Sequence, residues 1–244
     1  MNRVKASFKC PTEYKSKFPT SSCLMTISVG QSVHEGEKFA ACVDIVKYNF
    51  KACTILVDDS LQRFSMAIDS GLTPEDHYQE SIIEGDLWLE RSKTIYNKME
   101  NLQKILRWDD WLKHPNYNDV YNKINELYKT CQDYKMAINQ TAETYVSRYM
   151  TRLTNKTFDY KRAIELSVDY LKEECAALCL WTEGKYDFEV YPSKRNSAMN
   201  TTHMQLIAPK TPDLLLPVAI KLKYKSEQLK TNFNQDEQNV VPVT

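Results

Sequence analysis

The sequence predicts an α/β fold built on one mainly parallel sheet flanked by helices, and three observations carry that expectation. An apolar run at residues 23–28 precedes a helical repeat at 36–50 and a second apolar run at 52–57, and together these read as a βαβ unit. Further along, long helical segments alternate with short apolar runs, which is the pattern of an α/β chain. The 244 residues are 42% hydrophobic and 11% aromatic, enough to bury one large core and too apolar for a disordered chain.

Taken in order, residues 1–20 look like an irregular basic arm carrying Arg3, Lys5, Lys9, Lys15 and Lys17. The run 23–28 reads as a short buried strand, and Val29-Gly30-Gln31 opens a loop. Phe39, Cys42, Val43, Ile45, Val46 and Phe50 then recur near helical spacing. Residues 52–57 are β-rich and end at Asp58-Asp59. In parallel sheets ligands gather at the carboxyl ends of the strands, and Ser28 and Asp58-Asp59 stand at such ends. Residues 74–113 read as helix, with Gly85 as a candidate break. Residues 118–152 and 158–181 read as longer helices, and 187–191 as a short strand stopped by Pro192. Apolar runs at 204–208 and 214–222 close a single domain spanning 21–225. The tail 226–244 is polar and is expected to be disordered.

Composition excludes several function classes. Only five glycines occur (Gly30, Gly36, Gly71, Gly85 and Gly184), and they form neither GxGxxG nor a Walker loop. Dinucleotide and P-loop nucleotide chemistry are therefore disfavoured, and no cofactor is expected. His34, His77, His114 and His203 make no metal-ligand spacing with one another or with the seven cysteines, so no metal is expected either. The odd cysteine count and the lack of CxxC fit reduced thiols. No apolar stretch reaches signal-peptide or membrane-span length, so a cytoplasmic protein with no membrane partner is expected.

Three weak signals could carry chemistry. Ser28 leaves a strand beside Gly30, where a hydroxyl can face the crevice above a sheet; serines at strand ends more often cap or turn. Tyr170 and Glu174 lie four apart on a helical segment and so share a face, suited to an ammonium group or a proton transfer; an ordinary solvated helix has the same spacing. Tyr191 ends a strand before Pro192, where a half-buried edge residue is the commoner reading. Charge is also uneven: residues 64–90 hold seven acids and no Lys or Arg, whereas 91–107 hold five bases against Glu100 alone. If 91–107 is helical, Lys93, Lys104 and Arg107 make a basic outer stripe suited to phosphates, with Arg91 and Lys98 nearer the apolar side. A solvated charged face is the bland reading of that stripe.

Jointly, Ser28 after a first strand, Tyr170-x-x-x-Glu174 on a late helix and Tyr191-Pro192 closing a strand resemble the cyclodipeptide synthases. Ile27-Ser28-Val29-Gly30-Gln31-Ser32, running into Gly36-Glu37-Lys38, looks like that family's first βα unit, and Asp59-Ser60-Leu61-Gln62-Arg63 looks like another family segment. The similarity covers about residues 20–225. Gln31 with Tyr191-Pro192 is similar to the family's Tyr-Pro subgroup. Thr26 and Ala176 depart from a common Gly and a common Pro, so substrate choice is not transferable from relatives.

The resemblance implies a monomeric Rossmann-like domain similar to the catalytic cores of class I tyrosyl- and tryptophanyl-tRNA synthetases, without ATP chemistry. It implies that two aminoacyl-tRNAs are used in sequence to release a diketopiperazine. Ser28 would carry first an aminoacyl and then a dipeptidyl group. Tyr170 and Glu174 would hold the α-ammonium, and Tyr191 would relay a proton. Thr26, Gly30, Gln31, Val57 and Pro192 would shape the substrate site. Lys93, Lys104 and Arg107, with Arg91 and Lys98 as weaker candidates, would bind the tRNA. Two other readings stay open: a serine acyl-transferase or esterase using another acyl donor, and a non-catalytic tRNA-binding module in which Ser28 is only a turn residue.

Overall fold

The computed structural model describes residues 4–151 and 159–224. In chain order the regular elements begin with β1 (Val4–Lys9), α1 (Thr12–Lys15), β2 (Ser22–Ser28), α2 (Gly36–Asn49), β3 (Ala52–Asp58), α3 (Arg63–Ser70), α4 (Tyr78–Tyr96) and β4 (Leu102–Arg107). They continue with α5 (Trp108–Leu112), α6 (Tyr117–Thr130), α7 (Gln132–Met150), α8 (Tyr160–Leu180), β5 (Phe188–Tyr191), α9 (Ser197–Thr202) and β6 (Leu216–Tyr224). One six-stranded sheet results, in the order β1-β6-β5-β2-β3-β4. The β6-β5-β2-β3-β4 pairs are parallel, and β1 joins β6 antiparallel. The expected α/β architecture, a mainly parallel sheet flanked by helices, is the one observed.

β2 and β3 are buried on both faces, with only their first residues partly open, which is why both read as near-continuous apolar runs. Met25, Ile27, Ile55 and Val57 face one layer, where they pack with Phe39, Val43 and Val46 of α2 and Trp88 of α4. Leu24 and Leu56 face the other, against Trp108, Leu178 and Trp181. There α8 bridges two layers, because Val168, Leu171 and Cys175 also pack against Ile124 of α6 and Tyr134 and Ile138 of α7.

Several sequence expectations are corrected. Residues 4–9 are not an irregular arm: they form β1, where Val4, Ala6 and Phe8 turn inward and Lys5, Ser7 and Lys9 outward. The lysines mask a period-two strand, and Phe8 packs edge-on against Phe18 and Phe50, so this segment belongs to the domain. The helix expected over 74–113 ends at Tyr96, and Leu102–Arg107 is the edge strand β4. The helix expected over 118–152 divides at Cys131, whose backbone is extended. The apolar run 204–208 overlaps a π-helical turn at His203–Ile207 rather than forming a strand. The tail expected at 226–244 lies outside the described residues. Among the described residues, no helix is long and apolar enough to cross a membrane.

α4 runs through Gly85 without a break. The glycine serves close approach instead: a Cβ there would lie 2.6 Å from Cβ and Oδ2 of Asp59 and 2.7 Å from Nη2 of Arg107. Asp59 is fully buried and accepts from the Ser60 amide at 2.8 Å and from the Arg107 guanidinium. Arg107 also reaches Asp86 at 2.6 Å and the Ile82 carbonyl at 3.1 Å, tying the ends of β3 and β4 to α4. Gly85→Ala forces this cluster apart and is expected to cost about 1–3 kcal/mol of stability, as overpacking does; chemical unfolding of parent and variant measures it.

Candidate active site

Ser28 is the last residue of β2, and its neighbour in register on β3 is Asp58, the last residue of that strand. Gly30 follows at φ +83°, a conformation that favours glycine, and turns the chain so that the Gln31 amide reaches the Ser28 carbonyl at 3.2 Å. The backbone of Ser28 is held from below by His34, whose Nδ1 accepts the Ser28 amide at 3.0 Å. Nδ1 also lies 3.1 Å from the Ser28 carbonyl oxygen, and Nε2 is buried without a partner. Burial pushes the imidazole down to about 4, so His34 is neutral at physiological pH. Trp88 in turn donates its indole N–H to the His34 carbonyl at 3.0 Å.

On the other side of β2, β5 brings Tyr191 to the same end of the sheet, with its hydroxyl 3.1 Å from Ser28 Oγ. Burial pushes this phenol up to about 12, against the lowering effect of the Ser28 contact, so it stays protonated. Above these strands lies α8 with Tyr170 and Glu174. Burial raises Glu174 to about 7, although Asn196 donates to its Oε2 at 3.1 Å. Tyr170 is likewise raised well above the ordinary phenol, by burial and then by Glu174. Phe64 stands edge-on to its ring.

These four side chains line one cavity of about 720 Å³, together with Thr26 and Gln31. The remaining proposed pocket residues do not. Val57 is wholly buried and faces the opposite layer, because adjacent residues of a strand point to opposite faces; Asp58 takes the position expected of it. Gly30 contributes the turn rather than a wall, and Pro192 follows β5 outside the lining. The cavity wall also contains Asp58, Glu189, Arg195 and Asn196, which sequence reasoning did not assign. Glu189 and Arg195 form a buried ion pair, Arg195 Nε donating to Glu189 Oε2 at 2.7 Å while Nη2 reaches the Leu215 carbonyl at 2.6 Å. Asp58 was visible as a strand end paired with Ser28; Arg195 and Asn196 sit in a loop without any pattern.

The basic stripe does not exist as one helical face. Arg91 and Lys93 are on α4, Lys98 follows its end, and Lys104 and Arg107 are on β4. Arg107 is committed to Asp59 and Asp86, and Arg91 pairs with Glu35 at 2.7 Å. Lys93 lies 3.7 Å from Glu90, whereas exposed Lys98 and Lys104 have no carboxylate partner among the described residues. Among those residues, no three His, Cys, Asp or Glu side chains group in a way that could hold a metal ion.

No family model matches the sequence, and no curated protein does. Solved structures do match. A cyclodipeptide synthase (CDPS) from Fluoribacter dumoffii is 47% identical over 91% of this chain and 99% of its own, with a TM-score of 0.86. A cyclodipeptide synthase from Candidatus Glomeribacter gigasporarum, solved bound to Phe-tRNAPhe, is 15% identical over 89% of this chain and 93% of its own, with a TM-score of 0.67. A Mycobacterium tuberculosis protein whose structure relates cyclodipeptide synthetases to type I tRNA synthetases is 10% identical over 92% and 94%, with a TM-score of 0.63. The last two share the fold.

The His34 support generates a pH prediction. The folded ring titrates near 4 and an ordinary imidazole at 6.5, so its contribution is complete above pH 6.5 and is lost as pH falls through 4, on the order of 3 kcal/mol. His34→Gln keeps an acceptor for the Ser28 amide and removes that titration. Chemical unfolding at pH 7 and 4.5 should show the parent losing about 2–3 kcal/mol more than the variant on acidification; Glu174 titrates in both proteins and cancels.

Proposed function

Because this chain belongs to the cyclodipeptide synthase family, we propose that it joins two amino acids, each delivered on a tRNA, into a cyclic dipeptide through acyl intermediates on Ser28. The observation that carries this reading is the 3.1 Å contact of Ser28 Oγ with the Tyr191 hydroxyl, in one cavity with Tyr170 and Glu174. The tRNA bound to the Candidatus Glomeribacter gigasporarum enzyme supports tRNA as the donor.

In the first step Ser28 Oγ attacks the ester carbonyl of an aminoacyl-tRNA. The tRNA ribose oxygen leaves with a proton, and the aminoacyl group is esterified to Ser28. The ester is already activated, so no nucleotide hydrolysis is needed. Tyr170 and Glu174 then hold the α-ammonium of the bound residue. For that nitrogen to react it must lose a proton, and Glu174 at about 7 is matched to an α-amine titrating near ~7.7–8.0.

The freed amine attacks the ester carbonyl of the second aminoacyl-tRNA, the ribose oxygen of that tRNA leaves with the proton the amine gives up, and the new peptide bond leaves a dipeptide on Ser28. Attack in the opposite sense, by the second amine on the Ser28 ester, would free the serine and leave the dipeptide on tRNA. The direction is therefore set by the need for a dipeptidyl-enzyme. Last, the amine of the second residue attacks the Ser28 ester carbonyl, the ring closes, and Ser28 Oγ leaves with a proton returned through Tyr191. A serine esterase would need no second acyl acceptor, and a binding module would need no Ser28 hydroxyl.

Culture medium of a bacterial host expressing the chain should contain diketopiperazines by mass spectrometry, and Ser28→Ala should abolish them. A folded parent protein yielding none overturns the reading. With purified protein, kcat/KM should rise as pH passes about 7 rather than 4–5, and Glu174→Gln should remove that limb and lower the rate by ~10²-fold or more.

The tRNA surface is proposed to draw on Lys93, Lys98 and Lys104, since Arg91 and Arg107 are held by carboxylates. Replacing those three lysines by Ala should raise KM for aminoacyl-tRNA and flatten its salt dependence by roughly 0.7–0.9 in log–log slope per lost phosphate contact. Arg107→Ala should instead lower the unfolding midpoint.

A further inference from the structure

Of the groups around the cavity, the Asp58 carboxyl has no task in the scheme above. It is 5% exposed, it lines the cavity, and its Oδ1 is buried with no hydrogen-bond partner. The contact made by Asp58 in this region uses its backbone carbonyl, which accepts from Gln62 Nε2 at 3.2 Å. A carboxyl oxygen shut away from water without a donor is costly. The neighbouring Glu189, by contrast, is paired with Arg195 through its Oε2, and Glu174 has Asn196.

Position makes this orphan informative. Asp58 and Ser28 are in register on adjacent parallel strands, so their side chains emerge side by side on the same face. The groups that face Asp58 are Glu174 and Tyr170 on α8, Glu189 and Tyr191 on β5, and Asp59 beside it. Of these, Glu174 couples to it most strongly and raises it, after burial itself. Asp58 thus lines the same cavity as the serine beside it and the pair assigned to the α-ammonium.

We propose that Asp58 is a third ligand of the α-ammonium of the first aminoacyl group, accepting one of its N–H bonds on the free Oδ1 from the strand side while Glu174 and Tyr170 hold it from the helix side. Three N–H donors then meet three acceptors, and the group the site selects is a primary ammonium rather than any acyl ester. This rests on the reading of Ser28 as the acylated residue.

The test compares two donors that differ only at the α-position. One is tRNA charged with the amino acid found in the product of the parent protein. The other is the same tRNA after nitrous acid converts the α-amine to a hydroxyl. Acylation of Ser28 is followed in single turnover by intact-protein mass. The parent should prefer the amine donor. Asp58→Ala should slow acylation by the amine donor by about tenfold or more, as loss of a hydrogen bond to a charged group does, and leave the hydroxy donor within about twofold. Asp58→Asn, which retains an acceptor oxygen and the volume, should fall between them and guards against an unfolded Ala variant. Equal slowing with both donors, or with neither, in a folded variant overturns the assignment. A parent protein that is acylated by neither donor overturns the Ser28 reading itself.

Discussion

The site depends on the parallel register of β5, β2 and β3. Because their pairing runs Ser22 with Ala52 and Cys23 with Phe188, β2 and β3 finish level at Ser28 and Asp58, while β5 stops about two residues short with Tyr191. Burial on both faces forbids slippage, since a one-residue shift would turn Thr26 and Ser28 into the apolar layer under α2 and bring Met25 and Ile27 out of it. The chemistry is thus anchored by core packing several residues away from it.

Burial also sets the charge state around the serine. His34, Tyr191 and Glu174 are each moved toward their neutral forms by desolvation. The Glu189–Arg195 pair cancels internally. The site as proposed accepts a cationic amine and then strips its proton, a task that suits a carboxyl titrating near neutrality and not far below it.

Much of the fold was legible because its central strands and α2 follow plain periodicities. The strands at 23–28 and 52–57 and the helix at 36–50 fall within a residue or two of the observed elements. What failed did so for identifiable reasons. β1 was hidden by Lys5 and Lys9, which are the outward half of a strand's alternation. β4 was absorbed into a helix because Ile95, Met99, Leu102, Ile105 and Leu106 happen to fit a 3.6-residue repeat across a turn. At the site, Ser28, Tyr170, Glu174 and Tyr191 were carried by a family's order and spacing and meet in one cavity. Val57 was misassigned by one residue, which in a strand means the wrong face. Arg195 and Asn196 act from a loop, where only three-dimensional placement assigns them.

The antiparallel pairing of β1 with β6 joins Val4 to Tyr224, the first and last strands of the described chain. The β1–β6 pair consequently forms only once residue 224 has left the ribosome, and Ser28 meets Tyr191 only after 163 further residues are made. Contacts of such sequence separation form late. A nascent or truncated chain therefore cannot assemble the serine with its phenol.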